Sequence, residues 1–302
     1  MRWCYLTVAM VSLLTLCFMA HGAGGTPAPG SLPIVQLNEL TDHAVSPLGQ
    51  AALAINPSQW KHAETANFVY HFADNFIATP VSVEAEFYYS AIAKELERDT
   101  SHWERKSHIY IFEKPEDWKA FQKNAHLEPW TGGIQSGGDL FIVRNPRFKF
   151  KGRSLGHEVA HLVLFRFFGN GIPLWLNEGY AEDVSSRFYA SFMRARNYDS
   201  KPLSSSVAPV DYMPLDTLTG APTYPAGENQ VFTFYAESQR LVRFLMGVDA
   251  HRFQAFIDDL SKGARFESAL QRAFGGRFMS LDALDREFKS YATKDYVPSL
   301  QK

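Results

Sequence analysis

Residues 154–168 read Ser-Leu-Gly-His-Glu-Val-Ala-His-Leu-Val-Leu-Phe-Arg-Phe-Phe. As a helix, this segment carries apolar side chains on nearly every side, so most of its circumference must be covered by other parts of the chain. It also carries His157, Glu158 and His161. Burying three such groups is costly unless something satisfies them. The fold must therefore wrap a core around this helix and also bring polar partners or an ion to it.

The spacing suggests an ion. Positions i and i+4 share one helix face, about 6 Å apart along the axis, so His157 and His161 can grip one zinc ion through their ring nitrogens. Glu158 is one step round, in reach of a zinc-bound water without ligating the metal, which is the mechanical content of the His-Glu-x-x-His pattern. A catalytic zinc needs a third protein ligand. The turn Gly169-Asn170-Gly171-Ile172-Pro173 lets the chain reverse, and Pro173 can open a returning helix that brings Glu178 back over the first. Glu182 lies one turn on, on the same face. It is either an acceptor for a ligand histidine or a plain surface carboxylate.

Ahead of this helix the pattern is mixed. Residues 67–72 and 107–112 alternate and are rich in aromatic and branched residues, as strands are; 140–143 is a third strand. Helices are expected at 81–98 and 115–124, with order beginning near Trp60. After Ser154 the pattern is helical, at 154–168, 174–187, 230–246, 250–261, 264–273 and 280–292. Between them, 197–229 reads as a long loop with Pro202, Pro209, Pro214, Pro222 and Pro225, the length of a binding loop, a lid or an insert. The expected fold is α+β: a small mixed sheet with helices over about 60–150, then the active-site helix and a mainly helical lobe over about 151–295.

The first 22 residues resemble an export signal: Arg2, an apolar run from about Tyr5 to Ala20, then small residues. Residues 23–59 read as a flexible lead-in or a propeptide. Both cysteines, Cys4 and Cys17, lie in the signal, so the exported chain would hold neither disulfide nor thiolate ligand. Export implies a periplasmic or secreted protein, with no stable membrane span once the signal is removed. A formal net charge of -2 provides no basic surface for nucleic acid.

His-Glu-Val-Ala-His followed by Trp175-Leu-Asn-Glu178-Gly-Tyr-Ala-Glu182 resembles the gluzincin clan of zinc metallopeptidases, most of all the bacterial peptidase MA-like domains. The helix around Phe234–Leu245 and the later helices are similar too, so the likeness covers roughly residues 60–292. It implies a thermolysin-like fold, one zinc per chain held by His157, His161 and Glu178, and Glu158 as the general base for peptide hydrolysis. Tyr235 is the candidate to steady the oxyanion, with a packed core tyrosine as the alternative. Strand residues Leu140, Phe141 and Ile142 resemble the edge strand that receives an extended peptide or protein substrate.

Two departures narrow this. Phe167 stands where a metzincin needs a third histidine, and 132–144 lacks the glutamate with which aminopeptidases grip a substrate's amino terminus. Cleavage within chains is therefore expected. The rival readings are a catalytically silent, metal-containing module that binds a peptide or envelope partner, and a metal-dependent amidase acting on cell-wall material.

Overall fold

The computed structural model describes residues 31–100, 105–127, 131–144, 154–196 and 212–294. Residues 1–30, where the export signal is expected, and residues 197–211 of the proline-rich stretch lie outside the described residues. The architecture is α+β. Five strands form one sheet: β1 (Lys61–Glu64), β2 (Phe68–Phe72), β3 (Ser107–Phe112), β4 (Gly133–Ser136) and β5 (Asp139–Val143). Their spatial order is β1-β2-β3-β5-β4. The central pairs β2/β3 and β3/β5 are parallel, and an antiparallel hairpin closes each side.

Alternation along the strands sorts side chains onto two faces. Phe68, Tyr70, Phe72, Ile109, Ile111, Leu140 and Ile142 join the main core, against α2 (Asn75–Glu95), α4 (Ser154–Phe168) and α5 (Leu174–Ala195). Tyr110, Phe112 and Phe141 point the other way, onto α1 (Pro47–Leu53) and α3 (Pro115–Asn124). With both faces covered, β2 and β3 are buried throughout rather than half-buried.

Order begins well before Trp60. Val35 donates to the His62 carbonyl at 2.9 Å, Ser46 caps α1 and donates to Asp139 at 2.5 Å, and Asn56 and Gln59 donate to Asp117. Leu32 joins the main core, and from Val45 to Trp60 the lead-in is a strap packed on the far face of the sheet. α2 also starts earlier than expected. Asp74 caps it by accepting from Phe76 N–H, and Pro80 lies inside it past the first turn, where its missing N–H removes the ladder bond to the Phe76 carbonyl.

The edge assignment for Leu140, Phe141 and Ile142 is corrected. β5 pairs with β3 on one side and β4 on the other, and these three side chains are buried in the two cores. On this side of the sheet the edge strand is β4, added by the tight turn at Gly137, whose φ is +58°.

The helical part packs around α4 and α5. α5 lies between α4 and α7 (Glu228–Val248), while α8 (Ala250–Ser261), α9 (Phe266–Phe274) and α10 (Leu281–Lys294) close the core beyond. The proline-rich stretch contains one short helix, α6 (Leu215–Gly220), which rests on α7 and α10. Behind α5, Tyr180 donates to Glu95, Arg187 bridges Glu95 and Asp183, and Arg243 pairs with Asp183. No helix among the described residues is long and apolar enough to cross a membrane.

Candidate metal centre

α4 presents His157 and His161 one turn apart, and α5 returns across it because the chain turns tightly through Gly169 (φ +61°) and Pro173 precedes the new helix. Glu178 comes back over α4. His157 Nε2 and His161 Nε2 lie 2.9 Å apart, and Glu178 Oε2 is 3.3 Å from the first and 3.5 Å from the second. Tetrahedral zinc with bonds of about 2.05 Å has ligand atoms about 3.3 Å apart, so the triangle has the right size for that ion.

The outer partners decide where the lone pairs point. His161 Nδ1 sits 3.0 Å from Asn177 Oδ1, and His157 Nδ1 sits 3.2 Å from Glu182 Oε1. Each acceptor draws the ring proton to Nδ1, leaving a bare lone pair on Nε2. Two lone pairs cannot face each other at 2.9 Å without a positive charge between them. Glu178 Oε2 is buried and has no hydrogen-bond partner, while Oε1 accepts from Tyr224 Oη at 2.5 Å. Three electron-rich atoms thus converge on one point. Among the described residues, His157, His161 and Glu178 are the one group that could hold a metal ion.

The electrostatics agree. Burial disfavours a charged His157, but contact with Glu178 and Glu182 outweighs it and raises the imidazole well above its ordinary value. Burial likewise disfavours ionised Glu178, yet His157 and His161 outweigh it and hold the carboxylate below its usual range. Without an ion the site would hold a proton in its place.

Glu158 lies on the β4 side. A Cβ on Gly133 would come within 3.1 Å of its Oε1, so a larger residue there would push the carboxyl aside by a few tenths of an ångström. The Gln135 backbone N–H bonds to it, and burial is the main cause of its raised pKa. In the β4/β5 register, Gly133 and Gln135 turn their backbone groups away from β5, toward this side. Tyr235 stands 6.5 Å from His157, ring centre to ring centre, stacked on Tyr224 at 5.9 Å. Burial raises its pKa, with the Glu178 charge next in size.

Four contributing residues were missed in the sequence. Asn177 is adjacent to Glu178, and its residue type alone could have suggested a histidine partner. Gly133 and Gln135 lie in a stretch too glycine-rich to read as a strand. Tyr224 had no signal at all, since no periodicity links a proline-rich loop to a helix 46 residues away. No protein-family model matches the chain, and no curated protein matches it.

Proposed function

We propose that this chain is a zinc-dependent peptidase of gluzincin type that cleaves within extended peptide segments. The convergence of His157 Nε2, His161 Nε2 and Glu178 Oε2, which lie 2.9 to 3.5 Å from one another, carries the reading. The donor set, two imidazoles and one carboxylate, is that of catalytic zinc sites with an open position. When bound there, zinc acidifies a water and polarises a carbonyl.

The chain's own groups supply the remaining parts. Glu158, made more basic than usual by burial and steadied by the Gln135 N–H, takes the attacking water's proton and delivers it to the leaving amine. The outward backbone groups of Gly133 and the Gln135 carbonyl offer an open edge on which an extended substrate can pair as an added strand. Pairing there holds the scissile bond beside Glu158. Tyr235, a phenol kept protonated by burial, is the donor at hand for a developing oxyanion. The reading extends to an exported protein with one zinc per chain and a peptide or protein substrate.

The test is a peptide-library digest with and without chelator, together with Glu158→Gln. The variant should retain zinc by atomic absorption and lose cleavage. Cleavage at the wild-type rate would refute the role of Glu158. Zinc without any cleavage by the wild type would favour the silent binding module, and release of amines from cell-wall material alone would favour the amidase.

A further inference from the structure

Glu178 has two oxygens, and only Oε2 faces the histidines. The other accepts the Tyr224 hydroxyl at 2.5 Å. Glu178 itself is buried, yet Tyr224 is 47% exposed. The ring therefore lies largely at the surface while its hydroxyl reaches inward, so core burial does not explain the bond. The ring rests on Tyr235 at 5.9 Å, nearly parallel, and meets Phe234 edge-on at 6.1 Å.

The segment that delivers this phenol is short and stiff. Residues 221–227 join α6 to α7 and read Ala-Pro-Thr-Tyr-Pro-Ala-Gly. Pro222 and Pro225 flank Tyr224 and restrict its backbone, which lowers the entropy lost on presenting the hydroxyl. Upstream, α10 holds the stretch through Asp285, which accepts from Tyr212 Oη at 2.7 Å and from Leu215 N–H at 3.1 Å. Downstream, Gly227 at φ +92° turns the chain into α7. The loop is thus fixed at both ends, and its middle is tied to a ligand carboxylate.

We propose that Tyr224 is a positioning residue that locks Glu178 in its one-oxygen ligating pose, so that filling the metal site and closing the 221–227 loop are one coupled event. The inference rests on the metal-site reading above. A carboxylate free to rotate can turn either oxygen, or both, toward an ion; donation to Oε1 leaves Oε2 as the ligand atom. Conversely, an ion held at Oε2 keeps the carboxylate still and gives Tyr224 a fixed acceptor. By linkage, each event strengthens the other. The 221–227 loop then acts as a cover whose position reports the metal.

The test compares wild type with Tyr224→Phe, which keeps the ring and deletes the hydroxyl. Zinc affinity is measured by competition with a chromophoric chelator, and cobalt is added separately to read the ligand geometry from its visible spectrum. Hydrogen exchange of the 221–227 amides is followed with and without zinc. The variant should bind zinc about tenfold more weakly, in line with loss of an outer partner, with an altered cobalt spectrum. Its loop amides should no longer slow on zinc addition, whereas those of the wild type should. The variant should lose more melting stability in the presence of zinc than in excess chelator; an equal loss with and without metal would mean a merely structural role and overturn the proposal. Unchanged affinity and an unchanged exchange response would overturn it as well. A wild type that binds no zinc would sink the metal-site reading and the inference together, whereas zinc binding that ignores Tyr224 would sink the inference alone.

Discussion

Gly179 follows Glu178 on α5 and lies where α5 packs tightly against the backbone of α7. A Cβ built there would lie 2.3 Å from the Ser238 carbonyl oxygen, 2.5 Å from its carbon and 3.0 Å from Val242 Cγ2. The first two are helix backbone, so no side chain can swing aside. Ordinary contact needs α7 to retreat by about 1 Å, and a gap of that size forfeits roughly a quarter to a half of the attraction between facing atoms. The buried residues affected include Phe234, Leu241, Val242 and Leu245 of α7. Overpacking of this kind costs about 1–3 kcal/mol, offset by about 1 kcal/mol from the better helix propensity of alanine. Because the obstacle is backbone, the upper end of that range applies, and Gly179→Ala should destabilise the protein by about 2 kcal/mol, which lowers the melting midpoint by roughly 4–8 °C. Melting is followed by circular dichroism in excess chelator, so that metal binding does not enter. Zinc affinity should fall as well, because the shift is transmitted to the neighbouring Glu178. Gly220→Ala is the control, since a Cβ there meets nothing within 4 Å. It should melt at or slightly above the wild type. A Gly179→Ala protein as stable as the control would refute the close-packing argument.

Other outcomes follow from the same geometry. Gly133→Ala places a methyl 3.1 Å from Glu158 Cγ and Oε1; turnover should fall roughly tenfold with zinc content unchanged, as expected for a displaced base, and full turnover would contradict the placement of Glu158. Asn177→Ala removes the acceptor of His161 Nδ1 and should weaken zinc binding by about tenfold, measured by chelator competition. A third outcome concerns acid. His62, His71 and His108 form a hydrogen-bonded row across β1, β2 and β3, with spacings of 2.8 and 2.9 Å. Burial lowers the pKa of all three, that of His71 furthest. The unfolded chain then binds more protons below about pH 6.5, so stability is full above that value and is lost as pH falls toward the folded-state values, by up to about 1.4 kcal/mol per pH unit for each fully buried histidine. Urea midpoints at pH 7.5, 6 and 5 should fall in step, and His71→Gln should flatten the trend; a wild type and a His71 variant with parallel profiles would show that the row plays no part.

Much of the candidate site was legible because helical spacing is local. His157 and His161 share a face by their i, i+4 separation alone. Glu178 was reachable by one further step, the reversal through Gly169 and Pro173. Glu182 followed by the same arithmetic from Glu178, and the structure puts it 3.2 Å from His157 Nδ1. Strands β2, β3 and β5 also announced themselves, through alternation and aromatic content. β1 and β4 did not: Lys-His-Ala-Glu and Gly-Ile-Gln-Ser are short, with little β propensity, and exist because a neighbouring strand offers them hydrogen bonds.

The amino-acid sequence by itself determined which groups could meet within one turn or across one tight reversal: two imidazoles, a base beside them, and a carboxylate returning on the next helix. Only the tertiary structure decided which strand forms the edge, because that depends on which neighbours pair and not on the strand's own residues. It likewise moved the expected peptide edge from Leu140, Phe141 and Ile142 to Gly133–Ser136, packed residues 31–59 onto the sheet, and brought Tyr224 from a proline-rich loop to Glu178. Such contacts join segments whose separation no local period encodes, and they form only once the common core is built.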